Sequence, residues 1–234
     1  MNISVDVDAA ETVPVGQVTV IGQLGQTLDG RIACANGVSK YINGSDALDH
    51  LHALRAEADA LVIGVGTVIA DDPQLTVRRC SGKSPRVVVI DPGRRTPAGA
   101  RLFDAGDEPP LFIRRQDDER DENDLAAPTL PASRDRQKAM LDPVAIVAAL
   151  ADRGHRNILV EGGASTLSHF INHRAIDRLH ILMAPIILGS GVSGLNLTPI
   201  DSLDGAIRPD VKLKRFRDGD MLYECSLQSV WSRN

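Results

Sequence analysis

The sequence predicts an α/β fold: a mixed, mostly parallel sheet flanked by helices and finished by an antiparallel C-terminal hairpin. Three observations carry this. Uniformly apolar, β-branched runs recur at residues 60–64, 86–90 and 157–160, as expected of strands buried on both faces. Segments of helical apolar spacing separate them, the alternation of an α/β chain. Asp218-Gly219 joins two strand-like segments, 211–216 and 221–227, in a strong hairpin signature.

Taken in order, residues 1–15 read as a flexible tail and 16–234 as a single domain. Residues 17–24 form the first strand, ending at Gly25. Ser45 is the expected N-cap of a helix through Ala47, Leu48, Leu51, Leu54 and Arg55. Strands follow at 60–64 and 86–90. The polar, charge-rich stretch 104–138 reads as a variable excursion with one short strand at 111–113. Pro143 suits a helix start ahead of Ile146, Val147 and Leu150. Strand 157–160 runs into Glu161-Gly162-Gly163 and a helix through Leu167 and Phe170. Residues 179–184 make a further strand, read as an apolar edge that favours a dimer.

Bulk properties narrow the function. At 234 residues and 43% hydrophobic content the chain can enclose one sizeable core. With 26 basic against 31 acidic residues, the formal charge of −5 argues against general nucleic-acid binding. It leaves room for an anionic small ligand held by a few arginines. Cys34, Cys80 and Cys225 are odd in number and widely spaced, so neither a disulfide framework nor a thiolate metal site is expected. A cytoplasmic location is the default. Met1 to Pro14 lacks a basic start and an apolar run, so no signal peptide is expected. No apolar stretch reaches membrane-spanning length.

Three motifs carry candidate chemistry. Val160-Glu161-Gly162-Gly163-Ala164-Ser165-Thr166 sits where a strand turns into a helix. Its glycines admit close approach to the backbone, and the helix start offers unpaired N–H groups to a phosphate. On the motif alone, a pyrophosphate site and a plain strand–helix turn are equally good readings. Gly64-Val65-Gly66-Thr67 opens similar room at another strand end, followed by Asp71-Asp72-Pro73 and Leu75-Thr76-Val77-Arg78. Asp71 and Asp72, with no histidine nearby, make a poor metal site, and Asp72 before proline is a turn former. Thr27-Leu28-Asp29-Gly30 reads as a turn in preference to a catalytic acid. His50 and His52 fall on different helix faces, whereas His169 and His173 share one. No metal site is expected.

The order of these motifs is specific. LDGRIA, then SKYINGSDALDHLHALRAEADALVIGVGTVIADDPQLTVR, then ILVEGGASTL, then IDRLHILMAPIILG resembles the reductase half of bacterial riboflavin deaminase–reductases. It also resembles the stand-alone pyrimidine reductases of that family. The similarity runs over residues 18–227. It implies a dihydrofolate-reductase-like fold and a homodimeric, NADPH-dependent oxidoreductase, like a 5-amino-6-(5-phosphoribosylamino)uracil reductase. Such an enzyme reduces the ribosyl group of a ribosylaminopyrimidine 5′-phosphate to ribityl, with hydride and a proton added at an open-chain imine. The resemblance puts Gly25, Thr67, Asp71, Pro92, Gly163, Ala164, Ser165, Thr166 and Leu167 at the cofactor. His169 closes the same turn. It puts Ser39, Tyr41, Arg55, Leu75, Arg78 and Glu161 at the substrate, and makes Asp71 and Glu161 the catalytic candidates.

Arginine pairs with phosphate oxygens in a fork, which suits Arg55 and Arg78 with Ser39 to a phosphate clamp. Arg94 and Arg95, after the RVVVIDP strand, are either partners for the 2′-phosphate of NADPH or solvated loop charges. Four positions depart from the family pattern: Gln23 stands where Lys is common, Gln26-Thr27 where Ala-Ser is usual, and Tyr41 where Trp is usual. The alternatives are an NADPH reductase of a related pyrimidine or pteridine, and a non-catalytic nucleotide-binding protein.

Overall fold

The computed structural model describes residues 17–40, 42–130 and 140–231. The tail expected at 1–15 lies outside them. In chain order the strands are β1 (Thr19–Thr27), β2 (Arg31–Ala33), β3 (Ala60–Gly64), β4 (Arg86–Ile90), β5 (Leu111–Arg115), β6 (Asp124–Ala127), β7 (Asn157–Glu161), β8 (Arg178–Ala184), β9 (Val192–Ser193), β10 (Asp210–Arg215) and β11 (Met221–Ser226). The helices are α1 (Ser45–Glu57), α2 (Val65–Asp71), α3 (Pro143–Asp152), α4 (Ala164–Asn172) and α5 (Gln228–Trp231).

One nine-stranded sheet runs β10-β11-β8-β1-β7-β3-β4-β5-β6, and β2 pairs with β9 separately. Every neighbour from β8 to β6 is parallel; β11 and β10 are added antiparallel. The expected mixed sheet with its C-terminal hairpin is therefore present. The stretch read as an excursion supplies β5 and β6, which extend the parallel sheet to its edge. Strand β6 is only DLAA, too short for a periodic signature.

The strand expected at 179–184 is not an edge. β8 lies between β1 and β11, with both its ladders filled. The edge at that end is β10, whose residues are all exposed and include Lys212, Lys214 and Arg215. Lysines on an open edge discourage strand addition.

Apolar residues fill both faces of the sheet, which is why β3, β4 and β7 read as unbroken apolar runs. On one face, Ile146 and Leu150 of α3 and Leu167, Phe170 and Ile171 of α4 pack on Val62, Val88 and Val160. On the other, Leu54 of α1 and Val65 and Val68 of α2 pack with Leu61, Ile63, Val87 and Val89. Phe170 is fully enclosed, and such a side chain contributes about 1.5–3 kcal/mol by leaving water.

Helix starts are fixed by local chemistry. Asp142 caps α3 by accepting from Val144 N–H at 2.9 Å, with Pro143 at the first turn as expected. In α1 the cap is Gly44, one residue before the expected Ser45, and glycine has no side-chain acceptor to offer. The hairpin turn supplies the acceptors instead: Asp220 Oδ2 takes Gly44 N–H at 2.9 Å and Asp218 Oδ2 takes Asp46 N–H at 3.0 Å. A Cβ at Gly44 would come within 2.2 Å of Asp218 Oδ2, so only glycine permits this contact. Among the described residues no helix is long and apolar enough to cross a membrane.

Candidate active site

Parallel β3 and β7 lie side by side, and each turns directly into a helix, α2 after Gly64 and α4 after Gly162-Gly163. Strand β1 stays paired with β7 only up to Gln23, then continues with β8 to Thr27. The sheet thus steps down at the carboxyl ends of β3 and β7, where open α/β sheets bind ligands.

The two turns interlock. Thr67 Oγ1, in the first turn of α2, accepts from Gly163 N–H at 3.2 Å. Reciprocally, a Cβ on Gly64 would sit 2.4 Å from Thr166 Oγ1, so the close approach requires glycine. Gly162 holds φ at +140°, open to glycine alone at little cost. No side chain caps α4, so its first N–H groups and the Ser165 and Thr166 hydroxyls remain for a ligand. Leu167 does not face the opening: it is wholly buried, and a Cβ on Gly22 would approach it to 2.6 Å.

Beside this turn lies a buried ion pair. Arg55 Nε and Nη2 donate to the two Glu161 carboxylate oxygens, each at 2.7 Å, and Nη1 donates to Thr76 O at 3.2 Å. Both side chains are less than a tenth exposed. The guanidinium is held above its ordinary pKa by Glu161, against the opposing effect of burial. Across the ladders Glu161 is level with Gln23, and Gln23 with His180. Helix α1 covers this polar row: besides Arg55, it sets His50 Nε2 3.0 Å from His180 Nδ1. Burial lowers both imidazoles to about 4.

The segment after α2 is strained and then pinned. Asp72 and Leu75 both have left-handed backbones, φ +39° and +48°, a cost of order 1–3 kcal/mol each for non-glycine residues. Burial of the Leu75 side chain and the 2.8 Å bond from Arg101 N–H to Asp72 Oδ1 hold the turn in place. Further on, Arg78 N–H donates to His52 Nδ1 at 3.1 Å. Arg79 reaches Asp49 and the Ser45 hydroxyl, each at 2.6 Å. The Arg78 side chain is left exposed.

After β4, Asp91 is fully buried and accepts from Arg95 N–H, Thr96 N–H and the Thr96 hydroxyl. These bonds keep its carboxyl below the usual value although burial works the other way. The loop they shape separates the two arginines. Arg94 is bound to Asp121 and Asp124, at 3.2 and 3.0 Å, and to Glu119 O. Arg95 is exposed, and among the described residues its bond is a backbone one, to Asp91. Pro92, which precedes both arginines, is half-buried, and its carbonyl accepts from Arg115.

The remaining candidates are more scattered. Asp71 is exposed at the last residue of α2. Gly25 faces Asn43, whose Oδ1 would lie 2.2 Å from an added Cβ; Asn43 also binds Leu182 O and Asp220. Ser39 is half-buried in the loop leading to α1, and Tyr41 lies outside the described residues. Asp29 is a turn residue: it accepts from the Thr27 hydroxyl and from Leu188 and Gly189 N–H, which draw its carboxyl down to about 2. His169 and His173 do share a face, with ring centroids 4.4 Å apart. His50 and His52 diverge to different partners. A cavity of about 460 Å³ opens at the opposite, amino edge of the sheet, where Lys83 and Arg86 both pair with Glu108. It meets none of the groups above.

Sequence reasoning gave no site role to His52, Asn43, Asp91, Asp218 or Asp220: His52 entered only as lying on a different helix face from His50, and Asp218 only as a hairpin turn residue. The polar spacing of Ser45, Asp49 and His52 on one helical stripe is the signal that could have found His52.

Comparison with known proteins fits this geometry. Residues 18–220 match the family described as the RibD C-terminal domain. The chain is 38% identical over 185 residues to a riboflavin biosynthesis protein RibD of Corynebacterium ammoniagenes, covering 77% of this chain and 47% of that protein. It therefore spans about half the length of that relative. It is 31% identical over 223 residues to the 2,5-diamino-6-ribosylamino-4(3H)-pyrimidinone 5′-phosphate reductase of Methanothermobacter thermautotrophicus, covering 89% of this chain and 98% of that one. Among solved structures, a deaminase/5-amino-6-(5-phosphoribosylamino)uracil reductase of Thermotoga maritima superposes with a TM-score of 0.68 at 26% identity, covering 90% and 57% of the two chains. Dihydrofolate reductase of Enterococcus faecalis shares the fold at a TM-score of 0.50 and 12% identity, covering 89% and 96%.

Proposed function

This chain belongs to the RibD C-terminal domain family, and from that premise we propose that it is an NADPH-dependent reductase of the riboflavin pathway. It converts the ribosyl group of a ribosylaminopyrimidine 5′-phosphate to ribityl. The observation that carries this reading is the interlocked pair of glycine turns at Gly64 and Gly163, opening beside the Arg55–Glu161 pair. The relative with 98% coverage is named for a reduction of that kind.

The turns fit a dinucleotide. Ala164, Ser165 and Thr166 would hold the pyrophosphate through backbone N–H groups and hydroxyls, while Gly163, its own N–H given to Thr67, leaves the backbone open to it. Gly64 and Gly162 keep side chains out of the space, and Thr67 fixes Gly163 from below. When bound, NADPH supplies the hydride that reaches C1′ of the opened ribose. Arg95, unlike Arg94, has a guanidinium available for the 2′-phosphate.

On the substrate side, exposed Arg78 with Ser39 grips the 5′-phosphate. Arg55 enters this reading through Glu161, since its nitrogens already serve Glu161 and Thr76. The pair fixes a carboxylate at the floor of the site as a fixed acceptor for the sugar or pyrimidine, without reorganisation during reaction. The proton that completes reduction comes from Asp71 or from solvent. Gln23, level with Glu161, offers an amide there where a lysine would offer a charge. Homodimerisation and a cytoplasmic location belong to the same proposal. They rest on the family resemblance, because the strand first read as an edge is interior.

The test is turnover by purified protein supplied with NADPH and the ribosylaminopyrimidine phosphate. A ribityl product formed in step with NADPH consumption supports the reading. Cofactor binding without turnover overturns it in favour of a nucleotide-binding protein.

A further inference from the structure

We infer that His52 is a positioning residue for the substrate phosphate: its imidazole, by accepting the Arg78 backbone N–H, sets where the Arg78 guanidinium stands. The inference rests on the proposed reading of Arg78 as the phosphate grip.

Helix α1 presents one polar stripe, Ser45, Asp49 and His52, spaced so that all three lie on one face. The chain from Thr76 to Gly82 runs along it. Arg79 binds Ser45 and Asp49, Arg78 N–H binds His52 Nδ1, and the Cys80 thiol donates to His52 O at 3.4 Å. At the far end Gly82, φ +148°, fits against Ala56, whose Cβ would lie 2.6 Å from an added Cβ. Ser45, Asp49 and Arg79 are at least partly open to water, whereas His52 is 2% exposed. Its bond is more sheltered than the two that Arg79 makes, and it falls on the residue whose side chain is exposed.

The bond also fixes the imidazole's protonation. An Nδ1 that accepts must be bare, so the ring is neutral with its proton on Nε2. The surroundings enforce this: burial first, then the charges of Arg55, Arg78 and Arg79, lower His52 to about 4. A buried leucine in its place would leave the Arg78 N–H without a partner and free the segment to shift.

The experiment measures ribose 5-phosphate binding by calorimetry, and KM and kcat with the full substrate, in wild type, Arg78→Ala, His52→Leu, His52→Gln and His52→Asn. Asn can place its amide oxygen near the Nδ1 position; Gln reaches the Nε2 position instead. His52→Leu and His52→Gln should weaken ribose 5-phosphate binding and raise KM about tenfold, with kcat and NADPH affinity unchanged. His52→Asn should restore most of the loss. His52→Gln retains a polar side chain, so it keeps the test informative if His52→Leu does not fold. Unchanged affinity in both variants, or a wild type that ignores ribose 5-phosphate, overturns the inference. A KM that rises in Arg78→Ala but not in the His52 variants does so too, while leaving the phosphate grip standing. An unchanged KM in Arg78→Ala refutes the grip itself.

Discussion

Arg55 and Glu161 meet as a two-point pair, both bonds 2.7 Å, across the boundary between α1 and the end of β7. The contact ties the helix that carries the substrate-side segment to the strand that carries the cofactor turn. Arginine's planar fork matches a carboxylate in a way lysine cannot.

Breaking this pair should cost more than replacing it. Arg55→Ala leaves a buried carboxylate and should destabilise by about 3–5 kcal/mol, whereas Arg55→Met with Glu161→Leu should recover most of that. Urea unfolding of the three proteins measures it. Both variants should lack activity, and a stable Arg55→Ala protein would contradict the packing described.

At the interlocked turns, Gly64→Ala forces a methyl against Thr166 Oγ1. Overpacking of this kind costs about 1–3 kcal/mol. Thr166→Ala in the same chain should recover stability without restoring NADPH affinity, because the hydroxyl is gone. Additive losses in a double-mutant cycle would mean that the two residues do not touch.

Arg94 and Arg95 should separate cleanly. Arg95→Ala should narrow the preference for NADPH over NADH by about tenfold at unchanged stability. Arg94→Ala should lower stability, since it strips a partner from buried Asp124, and leave the preference alone. Dissociation constants for the two dinucleotides decide the matter.

Acid should destabilise the protein before its carboxylates titrate. His50, His52 and His180 fall from 6.5 unfolded to about 4 folded. Between those values the unfolded chain binds more protons, so stability is complete above pH 6.5 and falls toward pH 4. Unfolding free energies measured across that window should drop as pH drops. A flat profile would show that the imidazoles are not buried.

Much of this was legible in the sequence because local chemistry decided it. The apolar runs of β3, β4 and β7, Pro143 at its helix start and the Asp218-Gly219 hairpin each follow from near neighbours. Helix α1 shows where that ends. Its apolar spacing gives the helix, but the buried face includes His52 and Arg55 while Leu48 stays exposed. The reason is distant: α1 covers Glu161 and His180, so polar residues are buried where polar partners wait. Its cap likewise comes from Asp218, far along the chain. The position of β8 depended on the whole strand order, which no local pattern contains. For the site, the glycine turns were legible. The commitment of Arg55 to Glu161 and of Arg94 to Asp124 was not, since each required a partner on a strand distant in the chain.

The two glycine turns and the Arg78 segment are proposed to serve one hydride transfer. The most direct measurement incubates the protein with NADPH deuterated at the transferable position and the ribosylaminopyrimidine phosphate, then locates the label. One deuterium is expected at C1′ of the ribityl product. Product without label there, or NADPH bound and never consumed, would contradict it.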